Sequence, residues 1–145
     1  MDKNLYEQDF YAWTIENANL IRQRKFSEID LEHVVEELKD MGISTKRELI
    51  NRIGVLLAHL LKWEYQPSMR SSSWQGTIKE QRRRVLKLLK DNPSLKSQID
   101  NFIPDAFESA IISASVETGI PEFDFPQICP FSKEQIFDTN YWPIE

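Results

Sequence analysis

Apolar side chains recur along most of this chain at intervals of three, four and seven residues, the spacing of one face of an α-helix. Tyr6, Phe10, Trp13 and Leu20 share such a stripe and predict a first helix from about Leu5 to Arg24. Asn17 interrupts the stripe, either as a buried, hydrogen-bonded amide or because the stripe drifts. Asp30 offers an N-cap for a second helix, in which Leu31, Val34, Val35, Leu38 and Met41 follow at helical spacing. Gly42 marks a break or a bend, and Thr45-x-x-Glu48 reads as a capping box for a restart. Leu49, Ile53, Leu56, Leu57, Leu60, Leu61 and Trp63 then share one wide apolar arc, so this helix runs to about Trp63. Residues 66–73 are a loop by composition, with Ser73 as N-cap for a third helix from Trp74 to about Lys90. Its seam is Trp74, Ile78, Val85, Leu88 and Leu89, and Asn92-Pro93-Ser94 closes it. Residues 95–118 are helical again, with Pro104 starting a new segment or forcing a kink. Phe107, Ala110, Ile111 and Ala114 form the inner stripe there, and Gly119-Ile120-Pro121 stops it.

The end of the chain has a different pattern. Pro121, Pro126, Pro130 and Pro143 forbid a long helix, yet the segment holds Phe123, Phe125, Ile128, Phe131, Ile136, Phe137, Tyr141 and Trp142. So much apolar surface calls for a cover, which predicts an extended strap lying on the helices. Ser132-x-x-Gln135 predicts one short helix within it. The expected fold is therefore all-α: a four-helix-type bundle with a bent second helix and an extended apolar C-terminal strap. Residues 1–145 make one domain, with the bundle in 1–120 and the strap in 121–145.

Composition narrows the function classes. With 4 Gly and 7 Pro in 145 residues, a turn-rich β-sandwich is disfavoured. A single cysteine, Cys129, excludes an internal disulfide framework and a cysteine-only zinc site within one chain. The first residues lack the basic flank and apolar run of a signal peptide, and no run is long enough to span a bilayer. A cytoplasmic protein with no membrane partner is expected. The net charge of −5 is unevenly spread. Residues 1–45 carry 5 Lys and Arg against 10 Asp and Glu, residues 46–99 carry 12 against 4, and residues 100–145 carry 1 against 9. Such blocks either form a binding face or match one another internally, and packing of the acidic last third near the basic middle is the favoured expectation.

Two features carry candidate chemistry. On the Leu49–Trp63 helix, Glu48, Arg52, Val55, His59 and Lys62 fall on one stripe beside the apolar arc. Arg52 and His59 lie two turns apart, which suits proton transfer or phosphate contact. The plainer alternative, a half-buried histidine with Glu48 paired to Arg52, is favoured. The second feature is the basic third helix, whose Lys79, Arg83, Lys87 and Lys90 point away from its seam. With Arg70 in the preceding loop they make a candidate polyanion or nucleic-acid surface, although basic helix faces are often only solvated. Gln81 falls in the seam of the same helix and needs a partner, with His59, Asn17 or a backbone carbonyl as candidates. Metal chemistry scores poorly, because a di-metal bundle needs two Glu-x-x-His pairs and the chain has 2 His. Cys129 reads as a small buried hydrophobe. No P-loop, dinucleotide fingerprint or Gly-x-Ser-x-Gly is present, so no cofactor is expected.

Several segments together resemble a known family. They are Asp9-Phe10-Tyr11-Ala12-Trp13-Thr14, His59-Leu60-Leu61-Lys62-Trp63 running into Gln66-Pro67, Ser73-Trp74-x-x-Thr77-Ile78-x-x-Gln81-Arg82, Asn92-Pro93-Ser94-Leu95, Glu117-Thr118-Gly119, Phe125-Pro126-x-x-Cys129-Pro130 and Tyr141-Trp142-Pro143. Their order resembles the bacterial family catalogued as domain of unknown function, number twenty-nine. The resemblance spans nearly the whole chain and implies a small all-helical domain, with no assigned activity and no functional residues to carry over. Arg52 and His59, with six residues between them, also resemble the Arg-x(4–6)-His pattern of HEPN ribonucleases. In those helical bundles the pair acts on RNA at a dimer interface without metal; here the spacing lies in a middle helix rather than a late one. The expected function is a non-catalytic binding or scaffolding module. Its partner would be another protein or a second copy, with a polyanion contact through the third helix; the alternative is a metal-independent ribonuclease using His59 and Arg52.

Overall fold

A computed structural model describes residues 5–144. Every regular element among them is helical: α1 (Leu5–Gln8), α2 (Phe10–Arg22), α3 (Leu31–Tyr65), α4 (Ser72–Asp91), α5 (Ile99–Thr118) and α6 (Lys133–Phe137), joined by short 3-10 turns. The chain forms two compact units, Met1–Thr45 and Lys46–Glu145, and α3 runs from the first into the second.

In the first unit the expected helix from Leu5 to Arg24 is split at Asp9. The Asp9 carboxylate accepts the backbone N–H of Ala12 at 3.0 Å, so it caps α2 instead of continuing α1. Asp favours this position because its short side chain replaces a missing backbone acceptor. The helix also ends early, and Arg24 adopts a left-handed conformation with φ 59°. Asn17 is a buried, bonded amide: its Oδ1 accepts the Asp30 N–H at 2.8 Å and its Nδ2 donates to the Trp13 carbonyl at 3.1 Å. Asp30 caps α3 as expected, though its bond to the His33 N–H is long at 3.5 Å. The restart expected at Thr45 does not occur. α3 is helical through Gly42, and the Thr45 hydroxyl donates back to the Met41 carbonyl at 3.1 Å instead of capping. A mid-helix glycine costs about 1 kcal/mol against alanine, too little to break a helix that good formers propagate on both sides.

The second unit holds the main core. Leu49, Ile53, Leu56, Leu57, Leu60 and Leu61 of α3 are fully buried. They pack with Ile78, Val85 and Leu89 of α4 and with Phe102, Ala106, Phe107, Ala110 and Ala114 of α5. Gly54 lets α3 and α5 approach closely: a Cβ there would meet the Ala106 carbonyl oxygen at 3.4 Å. α4 starts before the expected residue, because Ser71, not Ser73, supplies the cap by accepting the Trp74 N–H at 3.1 Å. Pro104 neither starts nor splits a helix. It sits near the start of α5, where the carbonyl it leaves unpaired belongs to exposed Asp100. Gly119, at φ 78°, ends α5 in the left-handed conformation that glycine adopts without strain.

The strap belongs to this unit. Phe125, Phe131, Ile136 and Pro143 are buried, and the ring of Trp142 lies 4.7 Å from that of Trp63. α6 forms with the expected capping box between Ser132 and Gln135. Not all of the apolar tail is covered, since Phe123 is 85% and Ile128 82% exposed.

Candidate functional site

α3 places both halves of the Arg52/His59 pair, but they enter separate networks. Arg52 Nε donates to Glu48 Oε2 at 2.8 Å, the expected i, i+4 pair, and its Nη1 donates to Gln81 Oε1 at 3.3 Å. Gln81 is thus half-buried at the edge of the helix contact and takes Arg52 as partner, rather than His59, Asn17 or a carbonyl. His59 Nδ1 lies 2.9 Å from the Val55 carbonyl, which can only accept, so Nδ1 carries the proton. Nε2 is then the lone-pair nitrogen and faces Lys62 Nζ at 3.5 Å. Burial pulls the imidazole below its usual pKa, and the Lys62 charge adds to the effect.

Lys62 is the centre of this cluster. Only 3% exposed, it forms an ion pair with Glu117 of α5, and its Nζ lies 4.9 Å from the Trp74 ring centre of α4. The hydrogen bond from Lys62 holds the Glu117 carboxyl below its ordinary range, against the opposing effect of burial. Ser113 Oγ donates to the other Glu117 oxygen at 3.4 Å. A neutral imidazole whose free nitrogen is occupied by an ammonium can accept a proton there only by displacing Lys62. The arrangement ties three helices together.

The basic helix face is partly neutralised from within. Lys79, Arg83, Lys87 and Lys90 are all exposed. Arg83 Nε donates to Glu80 at 2.6 Å, Arg84 lies 3.7 Å from the same carboxylate, and Lys87 pairs with Asp91 at 3.2 Å. Arg70 is engaged elsewhere: its Nε donates to the Trp63 carbonyl at 2.7 Å and its guanidinium lies 5.1 Å from the Trp63 ring centre. The expected matching of the acidic last third to the basic middle is slight. Among the described residues Lys62–Glu117 is the one ion pair that joins the two blocks.

The family described as Domain of unknown function DUF29 matches residues 5–142. The chain belongs to the DUF29 family. No curated protein and no solved structure matches it. What the DUF29 domain does must therefore be read from its own side chains.

Three further features of this DUF29 chain lie outside the Arg52/His59 pair and the basic face of α4. Arg82, within the basic run, is 1% exposed and donates to three strap carbonyls: Ile136 at 2.9 Å, Tyr141 at 2.7 Å and Gln135 at 3.1 Å. Its signal was in the periodicity, because Ile78, Arg82, Val85 and Leu89 are spaced four, three and four apart. The second feature is a polar cluster in the first unit. Asp30 Oδ2 accepts from Trp13 Nε1 at 2.9 Å and pairs with His33 Nδ1 at 2.7 Å, and the Tyr6 ring stacks on His33 at 3.9 Å. The Asp30 hydrogen bond raises the His33 pKa, and the Tyr6 hydroxyl, donating to Glu37 at 2.5 Å, is pushed up to about 12. The third is an uncovered apolar stripe on α3: Leu31 is 59%, Val35 47%, Leu38 63% and Met41 66% exposed.

Proposed function

We propose that this DUF29 domain is a non-catalytic binding or scaffolding module whose partner docks on its first unit. One observation carries this reading: Leu31, Val35, Leu38 and Met41, spaced four, three and three apart along α3, are all exposed. Exposed apolar residues scattered singly are ordinary, but four aligned on one helix face form the kind of patch that protein contacts cover. A photo-crosslinking amino acid placed at residue 38 of the full chain in its native cells tests this. The expected result is a discrete crosslinked product that is absent when the probe is at exposed Lys90. No product from position 38 would sink the proposal.

Two other readings have weaker support. Contact with a polyanion through α4 rests on exposed Lys79, Arg83, Lys87 and Lys90, but Glu80 and Asp91 already pair with Arg83 and Lys87. RNA cleavage by His59 and Arg52 would need both groups free to meet a phosphodiester, and each has its own protein partners.

A further inference from the structure

A hollow of about 580 Å³ lies wholly within the second unit, between α5 and the start of the strap. Its size falls in the range of small-molecule sites, roughly 300–1,000 Å³. Buried Phe107 and Phe125 line it, together with Ile111 and the exposed side chains of Ile112 and Phe123. Glu108 and Glu122 line the same hollow, one from α5 and one from the strap. Glu108 is not on a separate face of α5. At 100° per residue it falls between Ile111 and Ile112, and the arc from Phe107 to Ile112 spans about 140°. Residues 104–112 and 122–127 supply every lining side chain, and they contain no lysine, arginine or histidine. Among the described residues neither Glu108 nor Glu122 forms an ion pair. The adjoining hollow differs in this respect. It shares Pro104, Phe107 and Gln127 and is also apolar, but there Asp100 lies 3.6 Å from Lys133 Nζ. One hollow balances its carboxylate within the chain, and the other leaves two carboxylates beside apolar surface with no cation. Aromatic rings share the same preference of sign, because a ring face attracts a cation and repels an anion.

We propose that the hollow lined by Glu108 and Glu122 binds a small organic cation, a protonated amine carried on a hydrocarbon chain or ring. The hydrocarbon lies against Phe107, Ile111 and Phe125, and the ammonium lies beside Glu108 and Glu122. A neutral hydrocarbon of the same shape fills the apolar part and leaves both carboxylates without a counter-charge. An apolar carboxylate meets two like charges and is repelled. The site goes beyond docking at the first unit, none of whose residues line it.

The test is an NMR titration of the full chain carrying labelled isoleucine methyl groups, with hexylammonium, hexanol and hexanoate as probes of matched length. Hexylammonium is expected to shift the Ile111 and Ile112 signals saturably, in the millimolar range that suits a ligand of this size. Hexanol should bind roughly tenfold more weakly and hexanoate more weakly still, and added salt should weaken only the ammonium. Ile103 and Ile128, which line the adjoining hollow, should not move. Glu108→Gln/Glu122→Gln should bring hexylammonium down to the affinity of hexanol while leaving hexanol unchanged. Both glutamates are exposed, so the variant should fold, and circular dichroism checks that it does. Phe123→Ala, at a side chain 85% exposed, should weaken both probes. Equal affinity for hexylammonium and hexanol overturns the proposal, since the hollow would then be merely apolar. So does a titration that never saturates, an equal response at Ile128, or a glutamine variant that binds hexylammonium as the parent does.

Discussion

His33 and His59 occupy opposite environments. His33 gains a carboxylate partner in Asp30, which raises its pKa, and His59 is buried beside Lys62, which lowers its own. The sign of each contribution to stability follows by linkage. The His33 bond stabilises the fold fully below the unfolded pKa of about 6.5 and is lost as pH rises through the higher folded value. His59 acts in reverse, since the folded state resists protonation and stability is lost as pH falls from about 6.5 through its lower folded value. An NMR titration of the two rings should therefore find His33 above and His59 below 6.5, and Asp30→Asn should lower only the former. Titration in the opposite order would show that neither network exists in solution.

Between elements, Lys62 couples α3 to α4 and α5, and its two partners are not equivalent. Glu117 is half in water, while the Lys62 ammonium is buried. Glu117→Gln leaves a buried charge with a weaker partner and should cost about 1–2 kcal/mol, the usual penalty for breaking a buried pair reduced because one side is solvated. Lys62→Met removes the buried charge and leaves Glu117 hydrated, so it should fall within about 1 kcal/mol of the parent. Urea denaturation of both variants checks the order; a larger loss for Lys62→Met would show that the ammonium stabilises the fold. The same elements show what could be read from the sequence. The apolar arc from Leu49 to Trp63, the Asp30 cap, the α6 capping box and the glycine stop at Gly119 depend on residues close in sequence, and the chain shows them directly. The split at Asp9 and the unbroken passage through Gly42 depend on small differences between local preferences that single residues do not decide. Lys62, read as one member of a flanking stripe, owes its burial to Trp74 and Glu117, which lie 12 and 55 positions away. Arg82, named in the sequence only at the end of the Ser73–Arg82 segment, owes its burial to carbonyls more than 50 positions away. Long-range partners of this kind leave no local motif.

At the scale of the whole molecule, Arg82 links the two kinds of structure in the second unit, the helical core and the proline-rich strap. Gln135 and Ile136 lie near the end of α6, where carbonyls lack intrahelical donors, and a guanidinium with five N–H groups can satisfy several at once. Burial pulls Arg82 below its usual pKa, yet a guanidinium stays charged, so the strap carbonyls act as its solvent. Replacing it with leucine preserves most of the apolar volume but leaves three carbonyls without a donor. Arg82→Leu should then destabilise the chain by about 3 kcal/mol and speed limited proteolysis at residues 126–132, while leaving the helical circular dichroism signal intact. Deleting residues 121–145 removes Phe125, Phe131, Ile136 and Pro143 together and uncovers the core they seal, so it should lower both melting temperature and solubility. A truncated chain that stays monomeric and equally heat-stable would mean that the helices close their core without the strap. The position of Arg82 argues against that outcome, because without the strap an arginine spaced among Ile78, Val85 and Leu89 would have no acceptors for its charge.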